Sequence, residues 1–313
     1  CALVVPAMPI VFRAVVFNSE LVSEASASSS GLGEWLGRGA GVSVKLHVER
    51  VEKLGLLVQR PPEVYATAVW EPRIRINSVG EQRYCRYHED FDEKVEYCAK
   101  TASARGGYCH EHARSWKALY ELCSQGVDSA CEEAARFSSQ EDFAVYALDY
   151  GGGLKVGLTQ LWRLPYRVAE QPHVSAALVA KGPLAEMRGL EKVLGRRRAA
   201  TEGLGVKVAE RMRLSANLLE RVSAQGAAAR LASLLVELGL EGECEALTLL
   251  PRRLEPRRFA SAELAPLRSL EGRELKLLDY WSGVLAFEDV RSGELLFARK
   301  QEVLHAALAA QLG

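Results

Sequence analysis

Residues 143–200 limit the possible folds of this chain more than any other stretch. FAVYALD (143–149) is an apolar, β-branched and aromatic run, Gly151–Gly153 follow as a turn signal, and LKVG (154–157) reads as a second short strand. An arginine-bearing segment follows, and then LAEMRGLEKVLGRRR, helical in pattern, with Glu191 on an otherwise basic helix. The order strand, glycine turn, strand, arginine segment, helix predicts one compact αβ unit. Its residue types are those a protein uses to hold a phosphodiester backbone.

The flanking segments differ. VSVKLHVERV (42–51) alternates apolar and polar residues, and GLLVQ and VYATAVW follow, so a small antiparallel sheet is expected, with a first strand from Pro9 to Phe17. SEASASSSG (23–31) reads as a flexible loop leading to Gly33–Gly37. From Thr201 to Leu240 apolar residues recur at steps of three and four, predicting two helices broken near Gly226. LLPRRLEPRRF reads as a linker, and ELKLLDYWSGVLAFEDVRSGELLFAR as β-hairpins turning at Ser282-Gly283 and Ser292-Gly293. The expected fold is α+β. A β-rich domain forms from N-terminal (1–80) and C-terminal (251–313) segments around a zinc knuckle with a helix (81–142), the αβ unit (143–200) and a helical segment (201–250).

At 313 residues, 48% hydrophobic and 26% charged, the chain is ordinary for a globular protein with a substantial core. No apolar run reaches the roughly 18 residues of a spanning helix, so no membrane association is expected. The apolar opening lacks a basic region before it and is broken by proline, which points to a cytoplasmic location. A first residue of Cys1 suggests an incomplete or misassigned start, with Met8 as one candidate initiator. The three Asn and the abundance of Arg and Glu are compatible with a thermophilic source, where a Cys123–Cys131 disulfide is tolerated. Net charge is zero, which excludes a polybasic chain, but the distribution is uneven. Leu154–Arg213 holds twelve Lys and Arg against five Glu, and Arg86–Asp142 seven basic against twelve acidic residues.

The segment 81–142 has few aliphatic residues to build a core and needs a staple. Within RYCRYHEDFDEKVEYCAKTASARGGYCHEH, residues Cys85, Cys98, Cys109 and His112 give C-x12-C-x10-C-x2-H, with Gly106-Gly107 before the last pair. Zinc takes four sulfur or nitrogen ligands in a tetrahedron, and a glycine turn into Cys-x-x-His brings two of them together at the start of a helix, here HARSWKALYELC. His88 is the alternate fourth ligand. Four protein ligands leave no open position, so the expected metal is a structural Zn²⁺.

VYAL, LKVGLT, Arg167 ten residues after Gly157, and RGLEKVL around Glu191 together resemble the core motifs of the uncharacterised family called domain of unknown function 2797. The same pattern is similar to the wider GIY-YIG nuclease superfamily, in the branch whose second motif reads lysine–aliphatic–glycine. The family pairs a Cys-x-x-Cys with Gly-Tyr-Cys-x-x-Cys; here Gly107-Tyr108-Cys109 is kept, the last ligand is His112, and the first pair is spread to Cys85 and Cys98. The resemblance implies a site built from two tyrosines, an arginine and a glutamate, in which the glutamate holds one divalent cation (Mg²⁺ or Mn²⁺), the arginine steadies phosphate and a tyrosine helps activate water. By motif, Tyr146 takes the first tyrosine position, Lys155 replaces the second, Arg167 is the arginine, with Arg163 competing for it, and Glu191 is the glutamate. Lysine neutralises phosphate but does not replace a phenol. Each residue also has an ordinary reading: a strand aromatic, a surface arginine, and half of a helical pair between Glu191 and Arg188.

Arg188, Lys192 and Arg196 fall on one helix face at four-residue spacing, with Arg197 and Arg198 beside them, a row suited to successive phosphates. These observations lead us to expect a zinc-containing protein that grips nucleic acid, with structured RNA or the ribosome favoured over DNA. A metal-dependent endonuclease is the first alternative and a protein-interaction scaffold the second.

Overall fold

The computed structural model describes residues 9–30, 41–89, 94–103, 107–137, 142–197 and 207–313. Arg198, Gly106 and the Gly33–Gly37 segment lie outside the described residues. The fold is α+β, as expected. In chain order its elements begin with β1 (Val11–Ser29), β2 (Val42–Gln59), β3 (Tyr65–Trp70), β4 (Arg73–Arg83), β5 (Val95–Glu96), α1 (Trp116–Ser124) and α2 (Asp128–Phe137). The middle of the chain forms β6 (Phe143–Asp149), β7 (Leu154–Gln160), α3 (Leu164–Ala169), β8 (Ser175–Gly182), α4 (Leu184–Gly195), α5 (Val208–Leu219), α6 (Ala224–Glu237), β9 (Gly242–Leu250) and α7 (Pro256–Ala260). The last part forms β10 (Glu274–Trp281), β11 (Val284–Asp289), β12 (Leu295–Arg299), α8 (Lys300–Val303) and β13 (Ala306–Leu312). No helix among the described residues is long and apolar enough to cross a membrane.

The chain divides into two compact units, one of 1–18, 52–134 and 262–313, the other of 19–51 and 135–261. In the first, β12, β11, β10, β4 and β13 follow one another in a five-stranded antiparallel sheet, so N- and C-terminal segments share one sheet. Along β4 the residues Ile74 and Ile76 are buried while Arg73 and Arg75 are exposed, the period-two pattern of a half-buried strand. The second half of β2 pairs with β3, and β3 with β5. Ser115 caps α1, its hydroxyl accepting from the Ala118 N–H at 3.3 Å. A disulfide joins Cys123 of α1 to Cys131 of α2.

In the second unit the strand order is β2, β9, β8, β6, β7, with β2 and β9 parallel and the others antiparallel. β6 lies between β7 and β8 and every one of its residues is buried, which is why FAVYALD carries no polar alternation. The hairpin register sets Tyr146 opposite Gly157.

Several local expectations are corrected. Residues 23–29 are strand, the second half of β1, because pairing with β2 supplies an order that their small polar composition does not announce. Residues 242–250 end the expected helical segment with strand β9, whose ladder partner lies two hundred residues earlier in β2. The helical break falls at 220–223, where the Ser223 hydroxyl accepts from the Gly226 N–H at 3.1 Å and starts α6, so Gly226 sits in a first turn. The linker contains the short helix α7. Helix α1 begins at Trp116, after His112.

Candidate functional site

In the first unit, Cys85 and Cys98 lie on two arms held together by bridges between Tyr84 and Thr101 and between His88 and Tyr97. The Cys85 N–H donates to the Lys100 carbonyl at 2.8 Å and the Cys98 N–H to that of Tyr87 at 2.9 Å, fixing both thiols on one side. Cys109 and His112 share a turn in which the His112 N–H donates to the Cys109 carbonyl at 3.1 Å, and the Ser115 hydroxyl donates to the His112 carbonyl at 2.8 Å. Gly107 leads into that turn with φ of 82°, a conformation that favours glycine, and a Cβ there would also displace the Arg86 side chain, 2.5 Å away.

The four ligand atoms lie within 4.8 Å of one another. Cys98 Sγ is 3.9 Å from Cys109 Sγ, and His112 Nδ1 is 3.6 Å from Cys85 Sγ and 3.3 Å from Cys109 Sγ. Metal–sulfur arms of about 2.3 Å and a metal–nitrogen arm of about 2.1 Å give tetrahedral edges of about 3.5–3.8 Å, so the cluster fits a tetrahedral ion. The His112 ring stacks on Tyr87 with centroids 3.9 Å apart, which holds Nδ1 toward the thiols. Burial pushes the Cys85 thiol up to about 12 and raises that of Cys98, whereas at Cys109 burial is outweighed by the His112 backbone N–H and the neighbouring thiols, which lower it. Three sulfurs this close become thiolates together only around a cation. The Cys3His set could therefore hold a metal ion. His88 is outside it: its Nδ1 is 2.7 Å from the Glu89 carbonyl and its own carbonyl accepts from Lys117 Nζ at 2.6 Å.

In the second unit, Tyr146 is 1% exposed and its ring packs with Leu148, Val168 and Ala176. A Cβ at position 157 would sit 2.5 Å from the tyrosine Cζ and hydroxyl oxygen, so the glycine of the second motif makes room for the tyrosine of the first. The Tyr146 hydroxyl accepts from Gln171 Nε2 at 2.6 Å, while Gln171 Oε1 accepts from Lys155 Nζ at 2.8 Å. Gln171 Nε2 also reaches the Arg167 carbonyl at 3.2 Å, and Glu170 accepts from Arg167 at 2.9 Å and from Arg163 at 3.5 Å. Tyr146, Lys155, Arg163 and Arg167 thus belong to one hydrogen-bonded network, connected by Gln171 and Glu170. No protein-family model, no curated protein and no solved structure matches this chain.

Sequence reasoning missed Gln171 and Glu170, which carry no motif and show only as polar residues at the end of α3. Burial raises the Tyr146 hydroxyl above the ordinary phenol range, so it is a neutral group at physiological pH. Glu191 is elsewhere: it accepts from Arg188 in an i−3 pair whose side chains are 12% and 14% exposed, and among the described residues no hydrogen bond or ion pair ties it to Tyr146, Lys155 or Arg167. Of the basic row, Arg188 is spent in that pair, Arg197 Nη1 donates to the Leu238 carbonyl at 2.7 Å, and Arg196 is exposed beside Lys192, which is half-buried. A cleft of about 220 Å³ opens beside Tyr146 over Leu164, Val168 and Leu247, with Glu49 and Glu245 among its lining.

Proposed function

We propose that the chain is a zinc-stabilised nucleic-acid-binding protein, with structured RNA as its ligand, which holds the phosphate backbone through Lys155, Arg163 and Arg167. The reading is carried by the network around Gln171 and Glu170, where Arg163 and Arg167 share the Glu170 carboxylate, Lys155 donates to Gln171, and the two arginine side chains are 39% and 40% exposed. Two partly exposed guanidinium groups on one carboxylate, pre-positioned by side-chain hydrogen bonds, suit a phosphate that replaces water on their open side. The Cys3His cluster supplies the structural zinc site, with four protein ligands and no open position for water.

Binding is favoured over cleavage by one observation. The endonuclease would need Glu191 on a divalent cation next to the tyrosine and arginine; here its carboxylate is committed to Arg188. Labelled single- and double-stranded RNA and DNA, titrated with the protein over a salt series with Mg²⁺ or Mn²⁺ present, test the reading. It expects salt-sensitive RNA binding without product, and a log–log salt slope smaller by about 0.7–0.9 for each phosphate that Arg163→Ala/Arg167→Ala leaves unneutralised. Metal-dependent cleavage abolished by Glu191→Ala would replace it with the nuclease, and no binding to any of the four ligands would replace it with the interaction scaffold.

A further inference from the structure

Arg13 of β1 is 2% exposed, among the largest fully buried side chains of the chain, and no carboxylate pairs with it among the described residues. A buried guanidinium without a counter-ion is costly, and burial indeed draws its pKa down to about 10. Its donors are nevertheless all directed. Nη1 donates to the Cys85 carbonyl at 2.8 Å and Nη2 to the Cys98 carbonyl at 2.7 Å, the backbones of two residues of the Cys3His set. Nε donates to Gln59 Oε1 at 2.6 Å, and Nη1 lies 3.2 Å from His305 Nδ1, which must then accept. The guanidinium carbon lies 5.1 Å from the Tyr97 ring centroid and 5.5 Å from that of Tyr84, so two aromatic faces border the charge.

The negative charge this arrangement lacks is available at one place nearby. Three thiolates around a divalent ion outweigh it by one charge, and the two cysteines that Arg13 grips are two of the three. We propose that Arg13 is the counter-charge and positioning residue of the metal centre: its guanidinium sets the Cys85 and Cys98 backbones in register and balances the excess charge of the loaded cluster. The proposal rests on the metal reading above and deepens it. Arg13 lies 72 residues before the nearest ligand and has no motif, so only the fold joins it to the site.

The test is zinc affinity of the full chain, measured by competition with a chromogenic chelator and with folding checked by circular dichroism, for wild type, Arg13→Gln and Arg13→Lys. Partners that orient metal ligands carry effects of about 10- to 100-fold on affinity. Arg13→Gln, which keeps a donor and loses the charge, is expected to bind zinc more weakly by that factor, and Arg13→Lys, which keeps the charge but loses the two-nitrogen fork, to weaken by less than about tenfold and by less than Arg13→Gln. Unchanged affinity in Arg13→Gln, or equal weakening in both variants, would overturn the counter-charge role. If Arg13→Gln does not fold, Arg13→Lys decides: tenfold or greater weakening in a folded protein overturns the proposal. A wild type that takes up no zinc removes the metal reading itself, a result distinct from all of these.

Discussion

An alanine at position 157 would press its Cβ to 2.5 Å from the Tyr146 ring, which must then shift against Leu148, Val168 and Ala176 or toward the cleft it lines. Gly157→Ala is therefore expected to cost about 1–3 kcal/mol in urea denaturation and to shift the tyrosine off Gln171; an unchanged midpoint would show that the ring is not where we place it. Residue by residue, legibility followed local spacing. The Arg188–Glu191 pair was readable because i and i+3 lie on one helix face, and the Cys3His set because cysteine and histidine have few other reasons to cluster. Gln171 and Arg13 were not, since a glutamine bridge or a buried arginine is defined only by what surrounds it. His173 is another such residue, fully buried between strands. It donates from Nδ1 to the Gln171 carbonyl at 2.8 Å and accepts at Nε2 from the Leu249 N–H at 3.0 Å, so the neutral ring is satisfied at both nitrogens. Burial lowers its pKa to about 4 from an ordinary 6.5. The unfolded chain then takes up a proton that the folded one refuses, so this contribution is complete above about pH 6.5 and is lost as pH falls toward 4, reaching about 2 kcal/mol near pH 5. Denaturation at pH 7 and pH 5 should show a larger acid loss in wild type than in His173→Gln; equal losses would exclude this role.

At the scale of elements, the turn between β6 and β7 is pinned from α6. Asp149 is fully buried and accepts from the Gly151 N–H at 2.8 Å and from Arg230 Nε at 2.7 Å, and Arg230 also donates to the Gly151 carbonyl at 3.2 Å. Removing the arginine strands a buried carboxylate, so Arg230→Ala should destabilise by about 3 kcal/mol, with Arg230→Lys restoring only part of it because a single ammonium cannot reproduce the two-nitrogen fork. A loss under about 0.5 kcal/mol, the size of an ordinary surface change, would contradict the pairing. The hairpin itself was plain in the sequence, as were the turns at Ser282-Gly283 and Ser292-Gly293, because hairpin signals are local. β9 and the second half of β1 were not, for the opposite reason. GECEALTLL has exposed glutamates at its start and gains its order from a parallel ladder with β2, which no window of neighbouring residues contains.

For the whole molecule, the α+β class was legible from composition and pattern, and the two units were not, because each is assembled from separated stretches and both β1 and β2 pass between them in sequence. The unit of 1–18, 52–134 and 262–313 holds the Cys3His cluster, the arms of which have few apolar side chains of their own. Metal binding to such a segment is folding free energy, so excess chelator is expected to lower the melting temperature and zinc to restore it; a chelator-independent melt would detach the cluster from stability. X-ray absorption at the zinc edge of the purified protein reports the ligand set itself. Three sulfurs at about 2.3 Å and one nitrogen at about 2.1 Å are the shell that Cys85, Cys98, Cys109 and His112 predict. A shell dominated by oxygen, one with two sulfurs, or a protein without zinc would contradict it.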